Sequence, residues 1–354
     1  MGGKIHVLSS HVRVVMNNKS KRKILVAPLD WGLGHATRCS VLIDDLLQKG
    51  HEVILASNGR SAAWLKDRYQ TLTLLTNIPD YAVTYPTNGN MVAHFAKHAF
   101  RLLAVVQAEH RWLKRIVIDH AIDEVYSDNR YGLHHHVIPC TLITHQLYIR
   151  GPRWSRLITG FMLKRILKRF TSILVPDFED DRSLSGALSH GGNHDKHVRY
   201  IGPLSRFSNQ TYNRTQSSFQ VVALVSGPEP ARSMFEEQLK GILSTLDRPA
   251  LLITGKPELQ QTEHMKQLSI KSHLNDEELA SAMQSAQLII CRSGYSTIMD
   301  LYALKCRALL VPTPGQTEQE YLAAFHAEKK NHEMVLQPML TAELLQSYLK
   351  PLSN

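Results

Sequence analysis

Apolar and polar positions are grouped along this chain in short blocks. Apolar, β-branched-rich runs at Ile24–Leu29, His51–Ser57, Thr71–Thr76, Glu124–Ser127, Cys140–Thr144 and Ser172–Pro176 read as strands, with helical stretches such as 41–47 between them. That alternation is the signature of a parallel sheet with helices on both faces. A second series follows at Val221–Val225, Ala250–Thr254, Leu288–Cys291 and Ala308–Pro312, again with helical patterns between the runs. Two similar α/β halves are expected.

A chain of 354 residues has room for two core-bearing domains. Residues 205–218 are polar and aperiodic and follow Gly202-Pro203, so the interdomain linker is placed there, between an N-terminal domain at 23–204 and a C-terminal one at 219–354. Residues 1–22 are polar and basic without a signal-peptide core, Met16 is a second candidate start, and a disordered tail is expected. No apolar run approaches the roughly 18 to 20 residues that span a bilayer. Cys39, Cys140, Cys291 and Cys306 stand far apart, which fits reduced thiols in a cytoplasmic protein and neither a disulfide frame nor a zinc site. The loop 189–197 holds three histidines and an aspartate at spacings that match no metal motif, and is read as solvated. A formal charge of +10 should attract anions: nucleic acid, anionic lipid headgroups or a phosphorylated substrate.

The stretch DWGLGHATRC, residues 30–39, joins the first strand to a helix. Such a glycine-rich turn aims unpaired N–H groups and a positive dipole end outward, which suits phosphate or pyrophosphate. A dinucleotide site is disfavoured, because Thr37 stands where a third glycine belongs and the second strand ends in Ser57-Asn58 without a ribose-binding acid. His35 beside the turn is either a general base or a helix cap. In the second half, Leu288 to Thr297 runs from strand through Ser293-Gly294 into a helix. There Asp300 could accept two hydrogen bonds from a ribose diol, or be a solvated carboxylate favoured by the helix dipole.

The segment CRSGYSTIMDLYALKCRALLVPTPGQTEQEYLA closely resembles the donor-binding region of GT-B glycosyltransferases of family 28. The best-known member of that family transfers N-acetylglucosamine from its UDP derivative to a lipid-linked peptidoglycan precursor. Gly32 to Arg38, a Gly-x-Gly-His-x-x-Arg pattern, resembles the family's first-strand loop. The likeness is dense at 30–39 and 288–322 and thin elsewhere between 23 and 340. It implies a GT-B fold, two Rossmann-like domains facing each other across a cleft. It also implies that Asp300 binds the ribose, that Ser293 and Gly294 lie under the diphosphate, and that Gln316, Glu318 and Gln319 contact the donor sugar. Leu274 would meet the uracil through its backbone, and Arg206 would approach the diphosphate or be a plain linker arginine. Where the family commonly has a Gly-Gly-Ser loop, this chain has Ser226-Gly227-Pro228-Glu229-Pro230. The prolines have no N–H, leaving Gly227, Glu229 and the Ser226 hydroxyl as donors. Thr144-His145-Gln146 occupies the place of an acceptor-side His-Glu-Gln segment. With Gly34, Arg38, Asn129 and Arg130, His145 and Gln146 are the expected acceptor contacts, at strand ends where open α/β sheets bind ligands.

No Asp-x-Asp sequence occurs, which fits a GT-B enzyme needing no metal or other cofactor, and Asp177 to Asp181 reads as a solvated helix start. Residues 150–170 mix cations with bulky apolar side chains, with an expected break near Gly160. Arg153, Arg156, Lys164, Arg165, Lys168 and Arg169 would face an anionic membrane surface, or simply form the outer face of a helix packed on the sheet. No recognition motif supports nucleic acid. The leading expectation is an inverting transferase moving N-acetylglucosamine or a hexose from a UDP-sugar to a glycan or lipid-linked cell-envelope acceptor, in the cytoplasm or at the cytoplasmic face of the membrane. The alternatives are a UDP-sugar epimerase or hydrolase of the same fold, kept open by Glu318 and Glu320, and a non-catalytic nucleotide-sugar-binding module.

Overall fold

Ile24, Leu25, Val26 and Ala27 are all wholly buried, as a strand covered on both faces requires. Ile24 and Val26 pack to one side of the sheet, Leu25 and Ala27 to the other. The computed structural model of the protein describes residues 21–81, 91–148, 153–191, 197–208 and 219–349. Residues 1–20 of the expected tail 1–22 and most of the expected linker, 209–218, lie outside the described residues, while Arg22 is ordered by an ion pair to Glu124 at 3.0 Å.

The first sheet contains β1 (Lys23–Pro28), β2 (Glu52–Ala56), β3 (Thr73–Leu75), β4 (Glu124–Asp128), β5 (Cys140–Ile143), β6 (Ser172–Val175) and β7 (Val198–Tyr200), in the order 3-2-1-4-5-6-7. All its pairings are parallel. Helices α1 (Leu33–Gln48), α2 (Gly59–Arg68), α3 (Met91–Asp119) and α4 (Arg153–Leu167) are interleaved with these strands. The second sheet contains β8 (Val221–Leu224), β9 (Ala250–Ile253), β10 (Thr262–Met265), β11 (Leu268–Lys271), β12 (Leu288–Cys291), β13 (Leu309–Leu310) and β14 (Glu333–Met334), in the order 10-11-9-8-12-13-14. Its helices are α5 (Ala231–Leu243), α6 (Asp276–Ser285), α7 (Tyr295–Leu304), α8 (Thr317–Glu328) and α9 (Ala342–Leu349). The ten expected strands are all present. Four were not expected: β7, β14 and the antiparallel hairpin β10–β11. They lie at or near sheet edges, where strands are short or half exposed and carry no continuous apolar run.

One apolar cluster crosses between the halves. Tyr295, Ile298 and Met299 of α7 and Leu322 of α8 pack with Ala36 and Ile43 of α1. Ser296 Oγ donates to Gly34 O at 2.9 Å, and Tyr295 Oη to Pro176 O at 2.8 Å.

Two expectations are corrected. Helix α4 runs through Gly160 without a break. Leu163, Leu167 and Phe170 pack on the sheet while Phe161 stays 65% exposed, and one interior glycine costs only about 1 kcal/mol. Residues 177–181 form no helix start. Asp177 is wholly buried and accepts from the backbone N–H groups of Phe178, Leu184 and Ser185 at 2.8 to 2.9 Å, organising the turn that follows β6. All four cysteines are free. Among the described residues no helix is long and apolar enough to cross a membrane, and no three potential ligands gather into a metal site.

Candidate active site

Strand order reverses between β1 and β4 in the first sheet and between β8 and β12 in the second, and ligands bind at such switch points. The loops leaving β1 and β8 face each other there. Gly32 (φ +114°) and Gly227 (φ +105°) adopt backbone conformations that side chains rarely tolerate, and a Cβ on Gly32 would lie 3.9 Å from the Gly227 amide nitrogen. Between them is a cavity of about 120 Å³ lined from both halves.

The cavity lining includes both apolar and charged side chains. Leu224, Ile253, Leu274, Leu279 and Met283 contribute apolar lining, and Asp300, Arg206, Thr297 and Ser296 line the cavity as well. Burial pushes the Asp300 carboxyl up to about 6, against the pull of Arg206 and a 2.6 Å hydrogen bond from Ser205 Oγ. Arg206 is held by Asp276 at 2.7 Å and lies over the Phe207 ring. At the loop after β8, the Glu229 carboxylate accepts from Arg232 Nε at 2.6 Å, Arg60 Nη2 at 3.1 Å and the Ser233 N–H at 3.2 Å. Burial raises this carboxyl, but the hydrogen bonds outweigh it and bring it down to about 2.

His35 stands in the first turn of α1. Its Nδ1 lies 3.0 Å from Asp128 Oδ2, at the end of β4, and 2.9 Å from Arg38 Nη2. Arg38 holds both oxygens of the wholly buried Asp128. Burial favours the neutral imidazole, the Arg38 charge adds to that, and the nearby Asp128 only partly offsets both, so His35 titrates below its ordinary range. Burial also penalises an ionised Asp128, yet the Arg38 and His35 charges hold it well below the usual carboxylate range. A carboxylate can only accept and a guanidinium only donate, so the tautomer whose Nδ1 proton faces Asp128 leaves Nε2 free, and in it the Arg38 contact to Nδ1 is an approach and no hydrogen bond.

A second imidazole sits opposite. His145 stacks on the Tyr295 ring at 4.1 Å, and its Nε2 meets Glu318 Oε1 at 2.7 Å, with Gln146 Nε2 also donating to Glu318. Glu318 therefore reaches the acceptor-side His145 and Gln146 rather than standing free beside a sugar.

Other expected residues take different places. Ser293 is buried and donates to Gln319 O, Gly294 caps α7, and neither lines the cavity; Ser296 and Thr297, one turn on, do. The Gln319 side chain accepts from the Thr313 N–H and donates to Gln316, so both amides brace a turn. Gly34 touches the cavity, but it packs on α7 so closely that a Cβ would sit 2.8 Å from Ser296 Oγ. Arg130 is a core residue instead of an acceptor contact: wholly buried, it binds Glu109 at 2.9 Å and the carbonyls of Pro28 and Pro79. Arg38 is likewise spent on Asp128. Asn129 adopts φ +54°, and its N–H donates to Ile143 O. Lys164, Arg165, Lys168 and Arg169 are exposed on and just after α4, whereas the side chains of Arg153 and Arg156 lie outside the described ones. Asp128 and Arg60 were not singled out from sequence. Asp128 carried one signal, a carboxylate ending the strand beside the switch point; Arg60 carried none.

Comparison with known proteins agrees with this geometry. The glycosyltransferase family 28 C-terminal domain matches residues 235–354. The UDP-N-acetylglucosamine–N-acetylmuramyl-(pentapeptide) pyrophosphoryl-undecaprenol N-acetylglucosamine transferase of Buchnera aphidicola is 28% identical over 159 residues, 43% of this chain and 43% of that protein. The transferase of the same name from Acinetobacter baylyi is 23% identical over 91% of this chain and 86% of its own. The crystal structure of Acinetobacter baumannii MurG superposes with a TM-score of 0.53 at 16% identity, covering 95% of this chain and 91% of that one. Two parallel α/β units with a cleft between facing switch-point loops define the GT-B fold. The chain has that fold, and its resemblance is to the glycosyltransferases of family 28.

Proposed function

We propose that the enzyme moves a sugar, N-acetylglucosamine or a hexose, from a UDP-sugar to a hydroxyl of a lipid-linked or other cell-envelope glycan precursor, with inversion and without a metal. The observation that carries this reading is the His35–Asp128 pair, 3.0 Å apart, with His35 next in the chain to Gly34, which lines a cavity together with Asp300. The apolar lining, Leu274 included, suits a pyrimidine, and Asp300 suits a ribose diol. Ser226, Gly227 and Arg206 stand where the diphosphate would follow.

In this mechanism His35 Nε2 takes the acceptor hydroxyl proton as that oxygen bonds to the anomeric carbon. The bond from that carbon to the diphosphate breaks in the same displacement, its electron pair leaves with UDP, and a single in-line displacement inverts the anomeric centre. Arginine side chains and backbone donors meet the leaving charge. The relatives' printed substrates favour a lipid-linked acceptor. The exposed Lys164, Arg165, Lys168 and Arg169 beside Phe161 suit docking on an anionic cytoplasmic membrane face.

The test is incubation with UDP-N-acetylglucosamine or UDP-glucose and a lipid-linked acceptor, with and without EDTA, followed by NMR of the product linkage. A β-linked product from the α-linked donor, undiminished by EDTA, is expected. Retention of configuration or loss of turnover with EDTA would overturn the corresponding part. A sugar altered by donor alone would turn the reading to an epimerase or hydrolase.

A further inference from the structure

The loop after β8 is poorly equipped to hold a diphosphate by itself. Pro228 and Pro230 have no N–H, the Arg232 N–H is already given to Pro228 O at 3.0 Å, and the Ser233 N–H to the Glu229 carboxylate at 3.2 Å. The start of α5 is thus largely satisfied from within. On this side of the cavity positive charge for an anion comes from side chains, and three arginines line the cavity.

Arg232 is fully committed elsewhere and Arg206 in part. Arg232 is buried and bound to Glu229 at 2.6 Å, Glu236 at 2.7 Å and Thr254 O at 3.0 Å, whereas Arg206 gives Nη1 to Asp276 at 2.7 Å and its buried Nε has no partner among the described residues. Arg60, from the opposite domain, is held loosely. Its contacts, Nη2 to Glu229 at 3.1 Å and Nε to Glu258 at 3.3 Å, are long for charge-assisted bonds, and all three side chains are about a third exposed or more. Exposed pairs of this kind contribute little and are cheaply exchanged. Its backbone is nonetheless fixed over the cavity. Arg60 is in the first turn of α2, where Gly59 takes φ +54° against Asp30, and Asp30 accepts the Ser61 N–H at 3.1 Å.

We propose that Arg60 leaves Glu229 to bind the donor's diphosphate, so that the N-terminal domain supplies a cation to the leaving group held by the C-terminal one. This rests on the UDP-sugar reading above. Glu229 keeps Arg232 and Ser233 after the exchange and stays ionised. When the anomeric carbon–oxygen bond breaks, the electron pair goes to the terminal phosphate oxygen of UDP, and the Arg60 guanidinium faces the charge that grows there. The role is both binding and catalytic.

Calorimetric titration of the full chain with UDP and with uridine tests this, using the native protein, Arg60→Ala and Arg60→Lys. Arg60→Ala is expected to weaken UDP roughly tenfold or more, as for a lost charge-assisted hydrogen bond, with uridine affinity changed less than about twofold. Arg60→Lys should recover part of the UDP loss, since it restores charge without the planar fork. In turnover, Arg60→Ala should lower kcat as well as raise the donor KM. Equal UDP affinity in Arg60→Ala and native protein, or an equal loss for uridine and UDP, would overturn the proposal and leave the donor reading standing. Native protein that binds neither compound would instead overturn the donor reading, and this inference with it.

Discussion

Glu318, in the first turn of α8, accepts a hydrogen bond from His145 Nε2 at 2.7 Å across the cleft, while the same imidazole lies flat on Tyr295. The contact ties the loop after β5 to the second domain. Burial raises the Glu318 carboxyl, but the His145 charge and hydrogen bond, with His35 and Arg38 nearby, bring it below its ordinary value. An acid depressed in the folded state stabilises above its unfolded pKa, and that contribution is lost as pH falls through the folded one. A double-mutant cycle of His145→Ala and Glu318→Ala, read by denaturant unfolding, should give a coupling of about 1 kcal/mol at neutral pH, fading below about pH 4. Zero coupling at neutral pH would remove the tie.

His35→Ala should lower kcat by roughly 10² to 10⁴ with donor affinity little changed, and Asp128→Asn should lower kcat in the same direction by releasing the imidazole's tautomer. Because the folded His35 titrates below its ordinary value of about 6.5, the free base persists through neutrality, and the acid limb of kcat/KM should fall below pH 6.5. Steady-state kinetics from pH 5 to 9 check both. An acid limb above pH 7 would exclude His35 as the base.

Asp300 carries a raised pKa of about 6. Its stabilising contribution is complete below about pH 4, where both states are protonated, and is lost as pH rises through 6. At neutral pH the buried ion is a cost that two ribose hydroxyls would relieve. Asp300→Asn should therefore raise the Tm of the free protein at pH 7.5 while abolishing the thermal shift given by UDP. A lower Tm with the UDP shift retained would remove both the strain and the ribose role.

Arg130 and Glu109 form a wholly buried pair 2.9 Å apart. Arg130→Ala leaves a buried carboxylate without its cation and should cost about 3 to 5 kcal/mol in chemical denaturation. A loss under 1 kcal/mol would return Arg130 to the cleft.

Lys164, Arg165, Lys168 and Arg169 are solvent-facing beside the exposed Phe161 and Met162. Sedimentation with vesicles containing anionic lipid should show binding at low salt that fades at high salt, since each basic residue near such a surface contributes about 1 kcal/mol over a screened range. Replacing the four by serine should abolish it. Equal binding to neutral vesicles would refute the electrostatic part.

The sequence by itself determined what repeats locally. Runs such as Ile24–Leu29 and Leu288–Cys291 can be buried on both faces only as central strands of a parallel sheet, so both halves were legible before any coordinates. The turn at Gly32–Gly34 was legible for the same local reason, and so were His35, at a strand end followed by a helix, and Asp300, on the helix behind a Ser-Gly turn. What the sequence did not hold is which side chains meet across long separations. Asp128 stands 93 residues from His35 and Glu318 173 from His145, and only strand order and domain packing bring them within 3.0 and 2.7 Å. Arg38 and Arg130 show the same limit from the other side. An arginine at a strand or helix end reads as a ligand contact, yet a buried carboxylate on another element, Asp128 or Glu109, claims it first. A cation's partner is fixed by distance and desolvation, and those quantities exist only once the chain has folded.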